Sequence, residues 1–192
     1  MSSENVLPQR SALSKATDGP APELMTQEPY LYHLAQRIAH NLQYQHQWTA
    51  LTIHAHSPLE PQRLLPRPLI SGLPPHRLYV HPDEQTELLK DEAKAKKKAN
   101  TQPKNNFAPE MEWVLPTHLK EKWSLRKFGE VFDEIEIEPP RSASIEEGRD
   151  EASDTVKNKW RTIKRVLLAT VDDDSTIVYY IVHDGIVKPR QN

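Results

Sequence analysis

The sequence predicts an α/β domain between polar tails, on three observations. An apolar face with helical period runs through "EPYLYHLAQRIAHNLQYQHQ", an alternating strand, "QWTALTIHA", follows at once, and two apolar runs, "RVLLATV" and "TIVYYIV", close the chain around three aspartates. Helix and strand signals alternate along 192 residues, a length suited to one domain plus tails.

Met1 to Leu24 is polar and carries Pro8, Pro20 and Pro22, so residues 1–24 are expected to be a disordered tail. Residues 25–192 then form a single domain, with disordered insertions expected near 94–109 and 133–156. The first helix starts at Pro29, which suits a first helical position. Leu31, Leu34, Ala35, Ile38 and Leu42 share one face, with Arg37 and Asn41 opposite. Trp48, Thr49, Thr52 and Ile53 favour a strand.

A rigid stretch follows, with Pro58, Pro61, Pro66, Pro68, Pro74 and Pro75. "SGLPPHR" is a turn signal and "RLYVHP" a short strand stopped by Pro82. Asp83 is placed to cap a helix over "DEQTELLKDEAKAKKKAN", whose apolar face (Leu88, Leu89, Ala93) fades before the lysines. Asn100 to Ala108 reads as a linker and "EMEWVLP" as a strand. "THLKEKWSLRKFGEVFDEI" reads as a helix carrying Leu119, Trp123, Phe128 and Phe132, broken near Gly129. Between Asp133 and Asp154, nine acidic residues face only Arg141 and Arg149, and Pro139 and Pro140 interrupt regular structure, which predicts a disordered acidic insertion.

Only 36% of the residues are hydrophobic and the mean hydropathy is −0.74, so the core does not use every residue. Seventeen prolines against five glycines favour stiff, extended connections. Cysteine is absent, which removes disulfides and thiolate zinc sites and fits a reducing compartment. Met1 to Glu23 lacks the apolar stretch of a signal peptide, and the runs "VLLA" and "IVYYIV" are far short of a bilayer span. A soluble intracellular chain without a membrane segment is expected, and no cofactor or metal. The net charge of −2 excludes neither RNA nor protein as a partner.

The terminal strand pair carries most of the functional signal. Both faces of each strand are apolar, so both call for cover, from helices on both sides or from a second chain on one of them. An apolar strand with a free edge is a template for pairing with another chain, and Ile177, Val178, Tyr179, Tyr180, Ile181 and Val182 are the candidate pairing residues. A central strand pair within its own domain is the alternative. Asp172, Asp173 and Asp174 repel one another, and a turn needs only one or two such residues. They form either a solvated turn or an acidic finger entering a partner's basic pocket. Lys157, Lys159, Arg161, Lys164 and Arg165 make a basic approach with no acid among them, a candidate for RNA-backbone contact. His54 and His56 share a strand face, but no third metal ligand is visible. His183-Asp184 fits a local turn at Gly185, and Lys94–Lys98 a solvated helix end.

"RVLLATVDDDSTIVYYIVHDG", with "RLYVHPDEQ", resembles the tRNA-splicing endonuclease family, and within it the small structural subunits. The resemblance implies a mixed β-sheet flanked by helices and a place in a four-subunit enzyme that removes introns from precursor tRNA in the nucleus. It implies pairing through the C-terminal strand with the catalytic subunit that cleaves at the 3′ splice site. It also implies an acidic loop plugging a basic cleft, with Asp172–Asp174 in the loop's place. Catalytic members use a Tyr, a His and a Lys in metal-free cleavage. Lys164 or Lys159 matches the Lys by position. Tyr79 and His81 share a strand face but come too early in the chain, and His118 sits in a predicted helix start. The resemblance therefore implies no catalytic residue in this chain and only indirect contact with precursor tRNA. A self-contained RNase using His and Lys chemistry, and a stand-alone RNA-binding adaptor, are the alternatives. Alone, the chain is expected to pair with a second copy of itself.

Overall fold

Leu34, Ala35, Ile38 and Leu42 recur at three- and four-residue intervals, and the helix that they define lies with this face against a β-sheet. The computed structural model describes residues 29–98, 108–140 and 158–185. Helix α1 spans Pro29–Gln45, and strands β1 and β2 follow at Thr49–His56 and Leu64–Leu73. Helix α2 is Pro82–Lys98, β3 is Glu112–His118 and α3 is Leu125–Asp133. Strands β4, Arg165–Val171, and β5, Ile177–His183, complete the order. The tail 1–24, residues 99–107 of the expected linker and residues 141–157 of the acidic insertion lie outside the described residues. No helix among the described residues is long and apolar enough to cross a membrane.

The sheet order is β1-β2-β3-β4-β5. β3 and β4 run parallel, and every other neighbouring pair is antiparallel, so the sheet is mixed. One face, with Ile70, Val114, Leu167, Ala169 and Val171, packs on α1. The other, with Leu65, Leu69, Trp113, Leu115 and Val166, packs on Val131 and Phe132 of α3 and on Ile135. The α/β class and the mixed, helix-flanked sheet agree with expectation.

Several elements differ from the sequence reading. The proline-rich stretch contains β2, a ten-residue strand. Pro66 and Pro68 fall in the irregular part of the β1–β2 register, between the pairs His54↔Leu69 and His56↔Leu64, where a missing N–H costs no ladder bond. Arg77–Val80 is not a strand. The cap of α2 is His81 rather than Asp83: its Nδ1 accepts from Asp83 N (3.2 Å) and its carbonyl from Gln85 N (2.9 Å), with Pro82 the first helical residue. His118 ends β3 rather than starting a helix. The helix begins after Ser124, whose Oγ accepts from Lys127 N, and it runs through Gly129 without a break. The acidic segment is ordered at its start. Ile135 is fully buried, and Ser57 Oγ donates to Glu134 O at 2.8 Å, because an apolar residue there has the second core to enter.

Candidate partner-binding site

β5 is an edge strand, so the reading that places the terminal strand pair in the middle of the sheet does not hold. Its register with β4 is regular from Val171↔Ile177 to Arg165↔His183. Ile177 and Tyr179 pack toward α1 and Val182 toward the α3 side. Full cover on both faces was expected; β4 comes near it, with Leu168 and Thr170 half-buried, and β5 does not reach it. Val178, Tyr180 and Ile181 remain 43%, 57% and 37% exposed, and they lie on both faces of β5. α1 lies mainly over β1, β2 and β3, so β5 takes its cover only at the margin of the helix. The six candidate residues thus form one continuous apolar edge.

The other edge differs. β1 has register shifts between Thr49 and Thr52 and between His54 and His56, and Ala50 sits at φ +50°. Bulges of this kind twist a strand away from regular pairing. His54 is held inward, with Nε2 2.8 Å from Ser71 Oγ and its ring edge-on to Trp113, and burial lowers its pKa.

The aspartates form the β4–β5 turn. Asp172 N donates to Thr176 O (2.9 Å) and Ser175 N to Asp172 O (3.0 Å), with Ser175 at φ +75°. Asp172 Oδ1 accepts from Asp173 N and Asp174 Oδ1 from Thr176 N, at 2.7 and 2.8 Å. Asp173 is held from the end of β3: His118 Nε2 lies 3.2 Å from its Oδ1, and Lys120 Nζ donates to its Oδ2. His118 Nδ1 accepts from Lys120 N at 3.2 Å, so the ring proton sits on Nε2, facing the carboxylate. The hydrogen bond from Lys120 holds the Asp173 carboxyl below its usual value and raises Lys120 in turn. The Thr176 backbone N–H does the same for Asp174. Sequence reasoning missed His118 and Lys120, because the β3 end and the β4–β5 turn meet only through the parallel β3–β4 pairing.

The basic approach is largely consumed inside the molecule. Arg161 reaches Met111 O (2.8 Å), Ile137 O (3.2 Å), Glu110 and Glu112, and its side chain is 1% exposed. Arg165, 6% exposed, bonds Glu112 through Nε (3.1 Å) and Nη2, and Glu110 at 2.8 Å. Arg77 joins Glu110 to Glu84, and Asn158 Nδ2 also donates to Glu110. Two guanidiniums so enclosed do not reach an RNA backbone, which corrects that expectation for Arg161 and Arg165. Lys164 Nζ donates to Phe132 O at 2.7 Å and Lys159 Nζ to Glu87 at 2.9 Å, while Lys157 lies outside the described residues. Tyr79 and His81 are not partners on one strand: Tyr79 lies under Arg165 and against His183, and His81 stacks on Trp160.

A family model described as Sen15 protein matches residues 37–192. The chain is 45% identical over 168 residues to a probable tRNA-splicing endonuclease subunit, tsp-1, of Neurospora crassa, covering 88% of this chain and 70% of that one. It is 27% identical over 173 residues to the probable subunit sen15 of Schizosaccharomyces pombe, covering 90% and 91% of the two chains. It is 32% identical over 82 residues to the subunit SEN15 of Eremothecium gossypii, covering 43% and 52%.

Proposed function

The chain belongs to the Sen15 family and is a subunit of the tRNA-splicing endonuclease, and from this premise we infer that it serves the enzyme as a non-catalytic structural subunit. In this reading it pairs with the catalytic subunit that cleaves at the 3′ splice site, within the heterotetramer. Asp172, Asp173 and Asp174 enter a basic hollow on that subunit, and the Ile177–Val182 edge is completed by its strand. The nucleus is the compartment that the reading implies, and precursor tRNA is met through the assembly.

The observation that carries the reading is the β5 edge: a regular, unbulged strand with Val178, Tyr180 and Ile181 exposed beside an acidic turn. Such an edge is a liability in a free chain and an asset in a subunit. A non-catalytic role is supported by the commitments of the candidate groups. Lys164 and Lys159 are bonded within the chain, Tyr79 is held edge-on against His183, and His81 caps a helix. None is left as an acid–base set around an open space.

The test replaces Asp172, Asp173 and Asp174 with lysine and measures co-purification with the catalytic subunit. Loss of the partner is expected. In parallel, the purified chain is incubated with intron-bearing precursor tRNA. Cyclic-phosphate ends in that reaction would establish the self-contained RNase instead, and a triple variant that keeps its partner would remove the acidic finger from the account.

A further inference from the structure

The β3–α3 connection carries four cations in eight residues, Lys120, Lys122, Arg126 and Lys127, and all four are exposed. Stability does not account for them. The positive end of a helix favours acids in its first turn, and the first turn of α3 has none; Arg126 and Lys127 stand there instead. Lys127 Nζ donates to the Lys122 backbone carbonyl at 3.1 Å, so Lys127 reaches back over the connection toward Lys122. Glu121, the acid inside the run, is turned inward, bidentate on Arg67 at 2.9 and 3.2 Å. Lys120 rests on Asp173 and Arg126 on Glu130, so among the described residues Lys122 and Lys127 have no carboxylate partner.

The position of these cations is informative. β3, α3 and β4 form a strand–helix–parallel strand unit, and the cations lie at the carboxyl end of β3, where open α/β sheets receive ligands. His118 and Glu112 are the two ends of β3, so the strand end from which the shelf starts is about 20 Å, at about 3.3 Å per residue, from the end that holds the buried Arg161–Arg165 cluster. Trp123 is held by Arg67 and Thr117 and offers no stacking platform. Charge without a shaped pocket or a free aromatic ring suits phosphates read for position rather than sequence.

We propose that the shelf formed by Lys122, Arg126 and Lys127, with Lys120 at its rim, contacts the sugar–phosphate backbone of RNA. The proposal rests on the reading of the chain as an endonuclease subunit, and it moves RNA contact away from the Lys157–Arg165 stretch to the opposite end of β3.

The experiment measures binding of fluorescent precursor tRNA across a salt series, for the assembled endonuclease and for the purified chain. The parent is compared with the Lys122→Ala/Arg126→Ala/Lys127→Ala variant and with Leu125→Ser, which changes the exposed leucine beside the shelf. Each lost phosphate contact lowers the salt slope by roughly 0.7–0.9. The triple variant is expected to lose about two from the slope and therefore about 100-fold in affinity at about 0.1 M salt. Leu125→Ser is expected to match the parent, and circular-dichroism melts to be unchanged in both. Parent-like slope and affinity in the triple variant overturn the proposal. An unchanged slope with loss of the protein partner also overturns it, making the shelf a protein-docking surface. If the parent chain fails to assemble with a catalytic subunit, the functional reading falls, and the slopes of the purified chain alone decide the shelf.

Discussion

Tyr179 of the edge strand donates its phenol proton to Asn41 Oδ1 of α1, 2.6 Å away and 138 residues back in the sequence. This bond ties the edge strand β5 to the helix that packs on its face of the sheet. Tyr179→Phe keeps the ring and removes the bond, with an expected loss of about 1 kcal/mol in urea unfolding. Burial pushes the phenol from 10.0 up to about 12. Above the unfolded value the unfolded chain releases this proton while the folded chain keeps it, so stability falls as pH rises from 10.0 to about 12. The phenylalanine variant is expected to lose that alkaline limb, and an identical limb in parent and variant would refute the assignment.

Glu112 is the hub of the buried ion cluster, bonded by Arg161 and Arg165 and 3% exposed. Glu112→Gln leaves two buried guanidiniums sharing Glu110. Breaking one side of such a cluster costs about 3–5 kcal/mol, because charges without a counter-ion stay in the interior. Denaturant midpoints measure this. A loss under 1 kcal/mol would mean that water reaches the cluster. Substituting Arg161 or Arg165 in a search for RNA contacts would therefore report unfolding.

These two cases show what the sequence makes legible. α1 was readable because Leu34, Ile38 and Leu42 repeat with the helical period, and β4 and β5 because apolar runs bounded by a turn have few other solutions. The acidic turn followed from three consecutive aspartates, whereas the pattern left β5 at an edge or in the centre and only the resemblance favoured the edge. β2 was hidden because Pro66 and Pro68 argue against a strand, and only the irregular register with β1 shows why they are tolerated. The basic run misled for a different reason. Lys159 to Arg165 has no acid within it, and its counter-charges, Glu87, Glu110 and Glu112, come from 49 to 72 residues away. Local charge counting does not see partners that only folding supplies.

His183 packs edge-on against Tyr79 and pairs with Arg165 across the β4–β5 ladder, and burial, Arg165 and His81 all lower its pKa below the usual 6.5. The unfolded chain takes up a proton there first, so the contribution is full above pH 6.5 and is lost as pH falls through the lower folded value. His54 acts in the same direction through burial. His183→Phe keeps a ring against Tyr79 and cannot charge. The drop in thermal midpoint from neutral pH to about pH 5 is expected to be smaller in this variant than in the parent. Equal drops would show that His183 titrates as freely as in the unfolded chain.

Gly72 of β2 lies against the side chains of Leu51 and Trp48. A Cβ there would lie 2.6 Å from Leu51 Cδ2 and 2.9 Å from Trp48 Cε3. Trp48 is 5% exposed, so its ring has little room to withdraw. Gly72→Ala is expected to lower stability by about 1–3 kcal/mol through overpacking. A neutral result in denaturant unfolding would mean that the β1 bulge relaxes to make room.

The β5 edge makes a prediction for the chain without its partner. Backbone groups along a regular edge seek a ladder, and the bulged β1 edge of a second copy is a poor match, so β5 meets β5. A two-fold pairing of one edge with itself closes after two chains and leaves no further edge for growth. Sedimentation of the isolated chain is therefore expected to give a dimer without higher species. Val178 and Tyr180 are exposed and contribute little to the monomer's own core, so Val178→Lys/Tyr180→Lys is expected to give a monomer with an unchanged circular-dichroism spectrum. A monomeric parent at tens of micromolar would show that this edge does not pair with itself. Oligomers beyond the dimer would show that β1 is open as well.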